Sequence, residues 1–304
     1  MLICIGEILV DIFIDGDKRS ILPGGAPFNV ACNATLYTDT TFIGAVGDDE
    51  NGKMLLGFVK EKEFKNPKIK VIEDKETTRA IVSLDNGERS FHFEREFGAD
   101  YLLKVSDIDI SKIHNGDIVH IGSLMLSKKE GVCFFHEIIN KIRNIANAKI
   151  SFDINYRDDI FPSSKEAKEI FIKALKEADI LKFSIDELYL LSNEKDVSLA
   201  LKSLLNEKQI AVVTLGSKGS LFDKNGKIIK ADSIHVKPID TTGAGDAFYA
   251  YFLSCLSNNM DIIENESEIK KVLREANVVG ALTTLKKGAI GSAPNKEDIL
   301  KYLH

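Results

Sequence analysis

The sequence predicts an α/β protein: a mostly parallel sheet with crossover helices, and a small β flap inserted before the main sheet continues. Three observations lead there. Short apolar runs alternate with helical patterns along most of the chain, as repeated βα units require. Two strand-like runs, 77–84 and 88–94, flank Asp85-Asn86-Gly87, a strong hairpin turn that breaks this rhythm. No internal repeat, low-complexity tract or Pro/Ser-rich linker divides the 304 residues. A single domain spanning 1–304, with a β lid at about 10–22 and 71–96, is therefore expected.

The runs 2–5, 41–46, 117–121, 149–153, 179–183 and 210–215 read as strands of the main sheet. Residues 10–14 read as an extension of the first strand into the flap. The clearest helix is 165–178, where Ala167, Ile170, Phe171, Ala174, Leu175 and Ala178 recur at helical spacing. Ser163 and Glu166 form a capping box at its start, and Ser184 and Glu187 form another ahead of a helix over 186–191. A second hairpin joins 220–224 to 227–230 at Asn225-Gly226.

With 44% hydrophobic and 28% charged residues, the chain has enough apolar surface to offset ordering entropy, which excludes disorder as its main state. A net charge of -6, with no long basic run, argues against nucleic-acid binding. No uncharged apolar run reaches the roughly 18 residues of a membrane helix. The N-terminal MLICIGEILVD carries Glu7 and Asp11 and lacks a basic start, so it reads as a strand and not as a signal peptide. Cys4, Cys32, Cys133 and Cys255 form no CxxC and sit among apolar neighbours. Four buried thiols in a reduced, cytoplasmic setting are expected. No HExxH is present, and His92 and His120 fall in strand-like runs, so neither is expected to bind metal.

The chemical centre is Asp240-Thr241-Thr242-Gly243-Ala244-Gly245-Asp246-Ala247-Phe248, followed by a helical pattern through Tyr251, Phe252 and Cys255. The glycines leave the amides of the helix start open, and those amides with the helix dipole make an anion site. A base beside a phosphate-binding loop is what phosphoryl transfer to an alcohol requires. Taken alone, Gly-x-Gly-Asp fits an ordinary helix start better, because the dipole favours an Asp there. No GxxxxGK[ST] is present, and Phe248 stands where a dinucleotide fingerprint has its third glycine.

The whole string DTTGAGDAF strongly resembles the C-terminal signature of the ribokinase-like (PfkB) carbohydrate kinases. The resemblance extends along the chain. Pro23-Gly24-Gly25-Ala26-Pro27-Phe28-Asn29-Val30-Ala31 is similar to the family's N-terminal signature in its fructokinase form. Gly44-Ala45-Val46-Gly47-Asp48-Asp49 with Gly52, and Val212-Val213-Thr214-Leu215-Gly216-Ser217-Lys218-Gly219, match its next strand and its nucleotide loop.

The resemblance implies a three-layer α/β/α sandwich with a β-sheet lid over the sugar, and transfer of the γ-phosphoryl of ATP to a sugar hydroxyl. It implies Asp246 as catalytic base, with Gly243, Ala244 and Gly245 as anion hole. Asp11, Gly24, Gly25 and Asn29 match sugar-contacting positions, although an exposed strand-end carboxylate explains Asp11 equally well without the family. Asp153-Ile154-Asn155-Tyr156-Arg157 resembles the DxNxR segment of fructokinases and ketodeoxygluconate kinases. An extended chain would put Asp153, Asn155 and Arg157 on one side. The aromatic Trp that usually follows is replaced by Ile160-Phe161. Phe93 and Arg95, in the flap, complete the implied sugar set. Ser184, Thr214, Gly216, Gly219, Gly243, Gly245 and Asn277 are the implied ATP positions. Glu187 matches the residue that organises Mg²⁺ through water, with Ser184 in place of the family's Asn. Asp240, Thr242, Gly288 and Ser292 fall where the family often holds a monovalent cation such as K⁺.

The flap sequence and the Ala26-Pro27 pair are most similar to fructokinases, which implies fructose as substrate. 2-Keto-3-deoxygluconate kinase is the alternative, with Arg95 and Arg157 clamping a carboxylate. A sugar- or nucleotide-binding regulator that lost catalysis would lack the base or the glycines, and both are present. The open strand edges of the flap imply a homodimer through the lid.

Overall fold

The computed structural model describes residues 1–15, 18–85 and 88–303. The chain starts with β1 (Leu2–Ile5), β2 (Leu9–Asp15), β3 (Lys18–Gly24), α1 (Ala26–Ala34), β4 (Thr40–Gly47), α2 (Glu50–Lys60) and β5 (Lys68–Ile72). It continues through β6 (Arg79–Asp85), β7 (Glu88–Glu94), β8 (Ile118–Ile121), α3 (Lys129–Ile145), β9 (Lys149–Asp153), α4 (Ser164–Leu175) and β10 (Ile180–Ser184). Next come α5 (Ile185–Ser192), α6 (Val197–Leu204), β11 (Ile210–Thr214), β12 (Ser220–Lys224) and β13 (Lys227–Ala231). The last elements are α7 (Ala244–Asn258), α8 (Glu266–Thr283) and α9 (Lys296–Leu300).

Among the described residues the main sheet has nine strands, in the order β13-β12-β11-β10-β9-β8-β1-β4-β5. It is parallel except at β11–β12–β13, where the hairpin predicted at Asn225-Gly226 forms the antiparallel edge. Two apolar layers cover it. One packs α1, α2, α7 and α8 against one face, and the other packs α3, α4, α5 and α6 against the opposite face. Sheets buried on both faces need apolar strands, and β1 and β8 are buried at every position. The strand at 117–121 contains His120, which is buried and bonds Ser151 Oγ at 3.1 Å.

The small sheet has the order β3-β2-β6-β7. Strands β2 and β6 run parallel, with hairpin partners outside them. Residues 10–14 thus do not extend β1. Gly6, at φ 153°, ends that strand, and β2 starts a separate sheet at Leu9. In the predicted hairpin Asp85 faces Glu88 across the ladder, while Asn86 and Gly87 lie outside the described residues.

Sequence reading missed β3 and β5, both sheet-edge strands. Ser163 caps α4 by accepting from Glu166 N at 3.2 Å, whereas the box at Ser184 and Glu187 is reciprocal. The four thiols are not all buried as expected: Cys4 and Cys32 are, Cys255 is partly covered, and Cys133 is exposed on α3. Among the described residues no helix is long and apolar enough to cross a membrane.

Candidate active site

Two adjoining cavities open at the carboxyl ends of the parallel strands, where α/β sheets bind ligands. The larger, about 390 Å³, lies between the two sheets. The main sheet contributes Glu7 after β1, Asn155 and Arg157 after β9, Ser184 and Thr214. The small sheet contributes Leu9, Asp11, Ala80 and Phe93. The second cavity, about 280 Å³, is lined by Gly216, Gly219, Phe248, Asn277, Gly280 and Ala281, among others. Thr214, Thr241 and Gly245 line both, so the cavities meet at the first turn of α7.

That turn is built as the sequence predicts. Gly243 is the N-cap at φ 74°, a conformation L side chains rarely adopt, and a Cβ there would overlap Ala289. No side chain caps the helix, so its first turn stays open to a ligand, although Ala244 N donates to Thr241 O at 3.3 Å. Asp246 stands in the first turn and accepts from Asn29 Nδ2 at 2.8 Å, across from α1. Burial raises the Asp246 pKa above the usual carboxylate range, while the Lys182 ammonium, the Asn29 bond and Arg157 pull it back.

Asp11 also faces the larger cavity. Burial, and then the negative charge of Asp246, raise its pKa to about 7. Gly24 lies over this carboxylate so closely that a Cβ would overlap Asp11 Oδ2. Gly25, at φ 108°, precedes α1 and its carbonyl accepts from Asn29 N at 2.7 Å. The Gly-Gly pair therefore brings Asp11, Asn29 and Asp246 into one acidic corner.

Two sugar-set expectations need correction. Asn155 has φ 38°, so the segment after Asp153 is not extended and the expected alternation is lost. Asn155 and Arg157 line the cavity, but Asp153 is buried beneath it in an ion pair with Lys182 at 2.7 Å. Arg95 does not line the cavity at all. It is 6% exposed and bound bidentately by Asp100, with Nε at 3.0 Å and Nη2 at 2.5 Å from Oδ2. Its Nη1 donates to Leu124 O at 2.9 Å. A buried guanidinium needs such satisfaction, and it leaves little for a ligand.

Glu187 lines the larger cavity with both oxygens engaged. Oε1 accepts from Tyr156 N at 2.9 Å and Oε2 from Ser184 N at 2.7 Å. Each oxygen keeps a second lone pair, which suits a carboxylate that reaches a hydrated cation through water. Among the described residues no group of three or more His, Cys, Asp or Glu could hold a metal directly. Asn277, in the wall of the second cavity, donates to Ala231 O at 3.0 Å. Asp240, Thr242, Gly288 and Ser292 come together in one clasp. Asp240 accepts from Thr242 N at 2.9 Å and Gly288 N at 3.0 Å, and Ser292 Oγ donates to Gly288 O at 3.2 Å.

Sequence reading missed two charged groups here. Lys182 is one charged residue in the otherwise apolar run of β10, and nothing local to it in sequence marks a site. Glu7 is 1% exposed, lines the cavity, and among the described residues has no hydrogen-bond partner on either oxygen. Burial raises its pKa to about 8, which favours the protonated acid near neutral pH. A Glu two residues past a predicted strand was the available signal for it.

Residues 1–296 match the family model described as pfkB family carbohydrate kinase. The chain belongs to the pfkB family of carbohydrate kinases. As a pfkB kinase it is a phosphotransferase with an alcohol acceptor. Its full length aligns at 33% identity with 91% of a probable fructokinase-3 of Arabidopsis thaliana, and at 34% with 96% of fructokinase-2 of Solanum lycopersicum. Among solved structures it is similar to the fructokinase of Vibrio cholerae O395 in a fructose, ADP and calcium ion bound form. The TM-score is 0.91 at 31% identity, over 100% of this chain and 98% of the other. This pfkB chain is thus most similar to fructokinases, and its fold is ribokinase-like.

Proposed function

We propose that this chain is an ATP-dependent fructokinase that forms fructose 6-phosphate, with Asp246 as general base. The observation that carries this reading is the meeting of a charged cavity and an apolar one at Gly245, one residue before Asp246. The sugar occupies the larger cavity. Asp11 accepts its hydroxyls, with Gly24, Gly25 and Asn29 shaping the corner, and Asn155, Arg157 and Phe93 form the opposite walls. The nucleotide lies along Ser184, Thr214, Gly216, Gly219 and Asn277.

Asp246 takes the proton of the attacking hydroxyl. That oxygen bonds to the γ-phosphorus as the bond to the β,γ-bridging oxygen breaks, and ADP leaves. Burial strengthens Asp246 as a base, and Asn29 fixes its orientation. The amides at Gly243, Ala244 and Gly245 stabilise charge on the phosphoryl oxygens. Glu187 would hold Mg²⁺ through water, and the ion would neutralise phosphate charge there. Asp240, Thr242, Gly288 and Ser292 would hold K⁺ and steady the loop ahead of α7.

The small sheet is the lid of one domain, closing over the sugar so that water does not take the phosphoryl group. Its edge strands β3 and β7, with Ile21 exposed on β3, favour a homodimer through it. Free thiols suit a reducing, cytoplasmic setting.

The rival sugar acid is disfavoured by charge. Asp11, Glu187 and Asp246 line the cavity, and Arg95, one half of the supposed clamp, is bound to Asp100. Initial rates on fructose and on 2-keto-3-deoxygluconate at equal concentration test the choice. Fructose should show the higher kcat/KM. A higher value for the sugar acid would overturn the substrate while leaving the kinase assignment in place.

A further inference from the structure

Lys182 stands in the site without a role in the mechanism above. It sits in β10 between Leu181 and Phe183, both fully buried, and is itself 6% exposed. A lysine so deep needs a partner, and its Nζ lies 2.7 Å from Asp153 Oδ2. That pair accounts for its charge but not for its place. Lys182 lines the larger cavity together with Asp246, Gly243 and Gly245. A Cβ on Gly245 would lie 3.6 Å from both Cε and Nζ, so the ammonium rests against the uncapped first turn of α7. Tyr249, whose ring centre is 5.9 Å from Nζ, backs it and is fixed by Ser151 at 2.7 Å. Asp153 is the one hydrogen-bond partner of Nζ among the described residues, and an ammonium carries further donors.

We propose that Lys182 is a catalytic residue whose ammonium binds the phosphoryl group in transfer alongside the α7 amides, while Asp153 holds that ammonium in place. The inference rests on the placing of the phosphoryl at Gly243–Gly245 argued above. Electrostatics ask for such a cation. Asp153, Asp246 and Glu187 all lie close enough to act on Lys182, and together they outweigh burial and raise its pKa. A triphosphate brought beside three carboxylates would be repelled unless a fixed positive charge stood among them. Lys182 keeps its protons throughout. The hydroxyl proton goes to Asp246, and only the phosphorus–oxygen bonds change.

The test compares Lys182→Met with the double variant Lys182→Met/Asp153→Asn, which leaves no buried carboxylate unpaired, and with Lys182→Arg. Each is read by kcat, KM for the sugar, thermal unfolding, and calorimetric affinity for β,γ-imido-ATP and for ADP. The double variant should unfold near the wild-type temperature, yet lose about 10²–10³-fold in kcat, the range for removing one charge-stabilising donor. Its preference for β,γ-imido-ATP over ADP should shrink, KM for the sugar should hardly move, and Lys182→Arg should recover part of kcat. Near wild-type kcat in the double variant, with Asp246→Asn crippled, would overturn the role of Lys182 and spare the site. Near wild-type kcat in both would overturn the site itself.

Discussion

The two cavities that meet at Gly245 are made differently. The larger is walled by ionisable groups: Glu7, Asp11, Glu187 and Asp246 with Arg157 and Lys182. The second cavity has no Asp, Glu, Lys or Arg among its described lining residues, and is made of small residues with Ile234, His235, Val236, Pro238, Phe248 and Asn277. A polyol is recognised by hydroxyl hydrogen bonds, which require strong acceptors at fixed points. A flat base with a phosphate tail needs an apolar slot and open amides. In the proposed reading the charged side carries the chemistry and most of the pH sensitivity, and the more apolar side carries shape.

Replacing Asp246 by Asn should break the charged side most severely. It keeps the bond geometry near Asn29 but removes the base, so kcat should fall roughly 10²–10⁴-fold while nucleotide affinity persists. Steady-state rates and calorimetry check this, and wild-type turnover would remove Asp246 from the mechanism.

Gly245→Val attacks the junction and should harm both sides at once. The helix tolerates a Cβ there, but the γ-methyls would press on Lys182 and cover the amides. A kcat loss of about 10²-fold, comparable to removing an oxyanion donor, is expected with the fold intact. An unchanged rate would mean that those amides do not meet the phosphoryl group.

The smallest effect concerns Glu7. Its carboxyl, ordinarily at 4.5, is raised to about 8 in the fold, so the folded state keeps a proton the unfolded chain loses. Stability from this group is present at low pH and lost as pH rises from about 4.5 through about 8. Glu7→Gln should flatten that decline, giving a higher melting temperature than wild type at pH 8 and little difference at pH 5. Parallel melting curves for the two proteins across that range would show that Glu7 is ionised in the fold.

Much of this molecule was legible from local pattern. The six main-sheet runs all became strands, because a sheet covered on both faces demands continuous apolar residues. The Asp240–Phe248 string became a helix start with a left-handed glycine cap, since its turn depends only on neighbours in sequence. Strand β3 escaped because Pro23-Gly24-Gly25 reads as a turn. As the edge of the small sheet, β3 has no neighbour beyond it to demand a donor from Pro23. Strand β5, half exposed along Lys68–Ile72 at the other sheet's edge, lacks the apolar run that marks a buried strand.

The charged residues divide along the same line. Arg95 and Arg157 carry the same group in similar motif contexts, yet one is bound to Asp100 and the other faces the cavity. Asp246 and Asn29 are 217 residues apart in sequence and 2.8 Å apart in space. The sequence by itself determined the buried strands of the main sheet, the glycine-capped helix start at Gly243 and the family, because these rest on residue type and short spacing. Only the tertiary structure decided which charges face one another and which stand alone. Pairing and proton affinity follow distance and burial, and packing across the whole chain sets both.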